Sequence, residues 1–265
     1  MKVITLLNEK GGVGKTTLAT HIAAGLAIRG WRVVLVDADA QGQASALMGL
    51  PKEAGFYNLL VRDAEWKEVI RYVSPEVYSA TPVKGELHIL PGNSETTLIS
   101  IARPNPFIIR QRITELDGFV DVVVFDTSPA PSMIHTAIYM ATDSVLLPTI
   151  PGYLGIDGIA HSIIHQDNAK SIRESEGMGE MNRLGIIPTM VRNTVAHDAG
   201  LQQLIKTFKR NLWPAMPQRT IFEEAAFKGQ LLYRYAPQDE TTTDILGALV
   251  DRVELGIGLK HAQVS

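Results

Sequence analysis

The sequence predicts an α/β protein, a doubly wound and mostly parallel sheet with helices on both faces. Three observations carry that prediction. Val/Ile/Leu runs that do not alternate with polar residues recur along the chain, as in strands covered on both faces. Turn residues and then a helical pattern follow them, which is the strand–helix alternation of a doubly wound fold. A glycine-rich loop follows the first run and two later runs end at aspartates. All three features fall at strand carboxyl ends, where such sheets bind ligands.

In chain order, residues 2–7 form the first expected strand, followed by the loop "NEKGGVGKTT" and a helix through "TTLATHIAAGLAIRG" that Gly30 closes as a C-terminal cap. Residues 32–36 form the second strand, ending at Asp37. The stretch 51–91 is less regular, with a short helix near 65–72 and a hairpin-like segment. Strands are then expected at 120–125 (ending at Asp126), 144–149 and 184–190, with a short one at 213–217. No repeat, low-complexity tract or linker interrupts the pattern. One domain spanning 1–265 is expected, and that length is enough for a well-buried core.

Composition narrows the function classes. Hydrophobic residues make up 45% and charged residues 20%, ordinary for a globular protein. No apolar stretch approaches the ~20 residues of a membrane span. The first apolar run leads into Asn-Glu-Lys-Gly rather than a signal-peptide cleavage site, so a cytoplasmic location is expected. The absence of cysteine excludes disulfides, thiolate nucleophiles and iron–sulfur clusters. His161 and His165 lie one helical turn apart, but without a carboxylate at HExxH spacing they read as ordinary helix residues. Charge is uneven. Residues 183–234 hold eight basic and three acidic residues, giving +5 against −8 for the rest of the chain, a pointer to a polyanionic partner.

The loop carries the chemistry. Glycines between a strand and a helix let several backbone N–H groups face one anion at the positive end of the helix. Gly11, Gly12 and Gly14 supply the freedom, Lys15 can reach β- and γ-phosphates, and the Thr16 hydroxyl can ligate Mg²⁺. A strict P-loop has glycine at position 9, whereas this chain has Glu9 and then a second lysine, Lys10.

"KGGVGKTT" resembles the deviant Walker A motif of the ParA/MinD group of ATPases. The resemblance implies a P-loop NTPase fold, ATP and Mg²⁺ as cofactors, and a nucleotide-binding set of Lys10, Gly11, Gly12, Val13, Gly14, Lys15, Thr16 and Thr17. It also implies that Lys10 contacts nucleotide held by the partner subunit of a sandwich dimer. Since Lys15 already serves the chain's own phosphates, a second ammonium is most useful across an interface. "VLVDADAQGQAS" resembles the family's Asp-x-Asp-Pro-Gln segment. Asp39 then orients the attacking water and reaches the metal through water; Ala40 stands where proline is usual. "VVVFDTSPAPS" resembles the Walker B segment. Asp126 then holds Mg²⁺ through water and residues 127–129 form a switch loop, with Ser128 in place of the first proline. Looser similarity continues through "LLPTIPGYLGIDGI", "LGIIPTMVRNT" and "WPAMPQRTIFEEAAFKGQ". By position there, Met190 and Pro217 are adenine-loop candidates.

Branches of the group differ outside this site. The nitrogenase-reductase branch needs cysteines. The MinD branch ends in a basic amphipathic helix on a membrane. Here the last segment has Ile245, Leu249 and Val253 on one face but Asp244, Asp251, Arg252 and Glu254 on the other, which fits a helix docked on the core. The basic window favours the partition branch. In "HDAGLQQLIKTFKR", Leu201, Leu204, Ile205 and Phe208 form an apolar stripe, and Lys206, Lys209 and Arg210 fall on another face. With Arg192 and Arg219 these are the candidate contacts to double-stranded DNA, bound without sequence preference. The expected protein is a ParA-like ATPase that dimerises with ATP and sits on nucleoid DNA. A ParB-like or cargo-adaptor partner stimulates it, and no membrane is involved. A MinD-like membrane ATPase and a metabolic P-loop kinase or ligase are the alternatives.

Overall fold

The computed structural model describes residues 1–129 and 132–260; Ala130 and Pro131 of the Walker B segment and the last five residues lie outside them. Seven strands form one sheet: β1 (Lys2–Leu6), β2 (Arg32–Ala38), β3 (Arg71–Tyr72), β4 (Glu86–Leu90), β5 (Val122–Thr127), β6 (Ser144–Thr149) and β7 (Asn182–Pro188). Their order is β3-β4-β2-β5-β1-β6-β7. Every neighbouring pair is parallel except β3 with β4.

The strand pleat splits the core into layers, because successive side chains face opposite sides. Ile4, Leu6, Val33, Leu35, Val122 and Val124 pack against the first helix, Lys15–Ile28, and the last, Glu240–Ile257. Val3, Val34, Val36, Val123 and Phe125 face the opposite way, onto Phe56, Leu59, Ile109, Ile113 and Ile138. Every β5 residue is buried, which explains why its sequence does not alternate. Beyond β1, the long helix Tyr153–Ser175 and the helix Val195–Phe208 cover β6 and β7 through Ile159, Ala169 and Leu204.

Gly30 does end the first helix. It has φ 110°, and the N–H of Trp31 returns to the Leu26 carbonyl. The 65–72 helix is shorter than expected, Trp66–Val69. Arg71 and Tyr72 pair instead with Ile89 and His88, so the irregular stretch supplies both a sheet edge and the strand β4. No strand forms over 213–217. Isolated bridges join Leu212 to Ile186 and Pro217 to Val191, because Pro214 and Pro217 lack the donors a ladder needs. The stripe on the helix Val195–Phe208 is narrower than its sequence suggests, since Leu204 is buried but Ile205 is 47% exposed. The last helix docks as expected through Leu246, Leu249, Val250, Val253 and Ile257.

Candidate functional site

The carboxyl ends of β1, β2 and β5 meet at one point, and parallel register sets the distances there. Leu6 and Asp37 are both Cα partners of Asp126 across the ladders. The glycine loop therefore leaves β1 beside two aspartates that the sequence separates by 89 positions.

Gly12 and Gly14 take left-handed φ of 72° and 82°, which turns the loop into the helix that starts at Lys15. The Lys15 ammonium is buried and donates to the carbonyls of Asn8 (2.9 Å) and Lys10 (3.2 Å). Burial lowers its pKa, opposed by Asp126 and Asp39. Lys10 is only half-buried, and among the described residues its ammonium makes no hydrogen bond or ion pair. The two lysines thus face different surroundings. Pro129 lies 3.8 Å from where a side chain on Gly11 would begin, so the Walker B loop borders the glycine loop.

Asp126 is fully buried, and neither carboxylate oxygen finds a donor in hydrogen-bonding geometry. Burial and then the Asp37 carboxylate push its pKa up to about 8, while the nearby Thr16 hydroxyl and Lys15 pull it down. Asp37 is buried too. Its Oδ2 accepts from the backbone N–H (2.9 Å) and hydroxyl (2.8 Å) of Ser45, while its Oδ1 has no partner. Asp39 is half-buried; its Oδ1 accepts from the Gln41 N–H and its carbonyl from the Gly42 N–H. That turn forms with Ala40 in place of proline. Gly92, past β4, is what lets it sit close, since a Cβ there would lie 2.1 Å from the Asp37 carbonyl oxygen.

A cavity of about 230 Å³ opens beside the start of the first helix, lined by Gly14, Thr17, His21, Met190, Pro217 and Phe222 among others. Met190 and Pro217 are thereby brought together with the glycine loop. Thr189 escaped sequence reasoning; its hydroxyl donates to the Val13 carbonyl (2.8 Å) and ties the loop to the end of β7. Arg192 and Arg219 are exposed beside the Val191–Pro217 bridge. The Arg192 Nε donates to Gln218, and Arg219 pairs with Asp239 at 2.7 Å. Lys206, Lys209 and Arg210 are exposed at the far end of the helix Val195–Phe208, about 20 Å long. The five basic residues form two groups rather than one. His161 and His165 do not converge either; His165 reaches Glu9 (3.3 Å) and His161 reaches Asp157 (3.9 Å).

A family model described as an AAA domain matches residues 1–175. The chain belongs to that family. Within it the chain is a member of the ParA/MinD group of partition ATPases, as the loop implied. It is 29% identical over 238 residues to the chromosome-partitioning ATPase Soj of Thermus thermophilus, covering 88% of each chain. Two solved structures share the fold. The ATP complex of Cyanothece McdA(D38A) has a TM-score of 0.76 at 19% identity, over 99% of this chain and 98% of that one. The septum site-determining protein MinD of Pyrococcus horikoshii, complexed with Mg-ADP, has a TM-score of 0.75 at 19% identity over 99% of both chains.

Proposed function

We propose that the chain is a Mg²⁺-dependent ATPase switch that works as one domain. With ATP it closes into a sandwich dimer, binds cytoplasmic nucleoid DNA without sequence preference, and is released when a ParB-like or cargo-adaptor partner stimulates hydrolysis. The contrast between its two lysines carries the reading. Lys15 is turned inward beneath its own loop, whereas the half-buried Lys10 ammonium has no partner among the described residues and is available to a neighbouring subunit.

The residues present fit a magnesium ion. Asp126 has two buried oxygens without donors, and a hydrated hard cation satisfies such oxygens. Thr16 would hold the ion directly, and Asp126 and Asp39 would hold it through water. Bound there, magnesium neutralises charge on the phosphate oxygens. The N–H groups of residues 11–17 hold the phosphates, while Met190 and Pro217 border the adenine. Lys15 exchanges its two carbonyl partners for phosphate oxygens. Asp39 orients a water in line with the γ-phosphate. The water oxygen bonds to phosphorus as the bond to the ADP oxygen breaks, the water's proton passes to an oxygen of the released phosphate, and Lys10 stabilises charge in the partner's site.

The last helix argues against a membrane role, because its apolar face is occupied by the first helix. Phosphate release from Mg-ATP tests the reading. Turnover that rises with duplex DNA and vanishes in Asp39→Ala is expected. Turnover that requires a small-molecule acceptor would point to a kinase or ligase.

A further inference from the structure

The switch reading requires Lys10 to be aimed outward, yet Lys10 sits on a short loop whose glycines give it many alternatives. Its backbone is held from outside the loop. Asn8 is fully buried: its Nδ2 donates to the Pro148 carbonyl (2.8 Å) at β6, and its Oδ1 accepts from the Lys10 N–H (2.8 Å). The Glu9 N–H donates to the Ser162 hydroxyl (3.2 Å), which donates in turn to the Gly158 carbonyl (2.8 Å). The Glu9 carboxylate meets His165 on the same helix. Asn8 is thus tied to β6, Glu9 to the helix Tyr153–Ser175, and Lys10 to Asn8, and none of these ties touches the phosphate-facing N–H groups after Lys10.

Gly158 is the tightest point. A Cβ built there would stand 2.8 Å from Asn8 Oδ1 and 3.3 Å from Lys10 Cβ. Glycine is otherwise a poor choice inside a long helix. By contrast Gly247, inside the last helix, has nothing within 4 Å of its would-be Cβ. Helix propensity therefore cannot explain Gly158, whereas clearance for the Asn8–Lys10 turn does.

We infer that the helix Tyr153–Ser175, through Gly158 and Ser162, is the positioning device for Lys10. Gly158 and Ser162 are positioning residues for the trans contact, not part of the chain's own phosphate cradle. The inference rests on the dimer-switch reading.

The test compares the full chain with Gly158→Ala, Ser162→Ala, Gly247→Ala and Lys10→Ala. Each is measured for melting temperature, for affinity toward a fluorescent ATP analogue at monomer concentrations, and for dimerisation with a non-hydrolysable analogue. Gly158→Ala should melt lower than Gly247→Ala, because its Cβ meets the buried Asn8 Oδ1 at 2.8 Å where the other meets nothing within 4 Å, and it should still bind nucleotide with affinity like the parent's. Its dimerisation and turnover should fall about tenfold or more, since misplacing a reacting group by a fraction of an ångström costs rates on that scale. Ser162→Ala should move the same two readouts in the same direction. In a Lys10→Ala background Gly158→Ala should cost nothing further, because both act through one group. The inference is overturned if both variants dimerise like the parent, or if nucleotide affinity falls in step with dimerisation. If Lys10→Ala itself dimerises normally, the switch reading fails. If Lys10→Ala alone loses the dimer, only the positioning role fails.

Discussion

His21 shows how one buried side chain couples the nucleotide cavity to pH. Its Nδ1 donates to the Thr17 carbonyl (2.6 Å) and its Nε2 accepts from the Leu232 N–H (3.1 Å), an arrangement only the neutral ring can make. Burial lowers its pKa to about 4. Because the folded pKa lies below the unfolded value of about 6.5, stability is complete above pH 6.5 and is lost as pH falls toward 4. Between pH 7 and pH 5 the protein should lose about 2 kcal/mol from this group, by the linkage relation. Urea titrations at the two pH values check this, and His21→Gln should remove that share of the difference. Asp126→Asn should reduce ATP turnover roughly 10- to 100-fold, as loss of an outer-sphere metal partner does. It should leave metal-free stability unchanged or higher, because a carboxylate buried beside Asp37 carries an electrostatic cost. The positions of Lys10, Lys15, Asp39 and Asp126 at strand ends were legible because a glycine loop or an aspartate follows an unbroken apolar run in each case. Thr189, Gly92 and Ser162 were not. Each matters only through a partner brought near by the fold, and nothing local marks a threonine or glycine for that use.

Elements were legible in proportion to their burial. β1, β2, β5 and β6 are covered on both faces and read as unbroken apolar runs. β4, "ELHIL", lies next to the sheet edge, and its Glu86 and His88 are not buried, so it gave no such run. Two helices depend on contacts that no periodicity announces. Arg173 is buried without a carboxylate. Its guanidinium donates to the carbonyls of Tyr139 (2.7 Å), Thr142 (2.9 Å) and Gly179 (2.8 Å), clamping the end of the helix Met133–Ala141 that follows the Walker B loop. Arg173→Met should cost about 3 kcal/mol in a denaturant titration, because it strands buried acceptors. Gly25 lies where the first and last helices cross, and a Cβ there would be 2.6 Å from Val250 Cγ2 and 2.9 Å from the Tyr233 hydroxyl. Gly25→Ala should destabilise by about 1–2 kcal/mol, overpacking outweighing the gain in helix propensity.

For the whole molecule, the proposed function rests on charge and symmetry. The +5 window lies on a chain of net charge −3, so the proposed DNA binding should come from its basic residues and weaken steeply with salt. Its residues form two groups, with Arg219 shared with Asp239, so no single substitution should abolish binding. Arg192→Glu and Lys206→Glu should each lower affinity and reduce the log–log salt slope by about one, read by fluorescence anisotropy on unrelated duplexes. The central claim is that ATP turns monomers into a dimer through Lys10. Light scattering on a sizing column, run in ADP, ATP and a non-hydrolysable analogue, measures this most directly. The parent should be monomeric with ADP and dimeric with the analogue, and Lys10→Ala should stay monomeric throughout. A mass independent of nucleotide, or a Lys10→Ala dimer equal to the parent's, would contradict it.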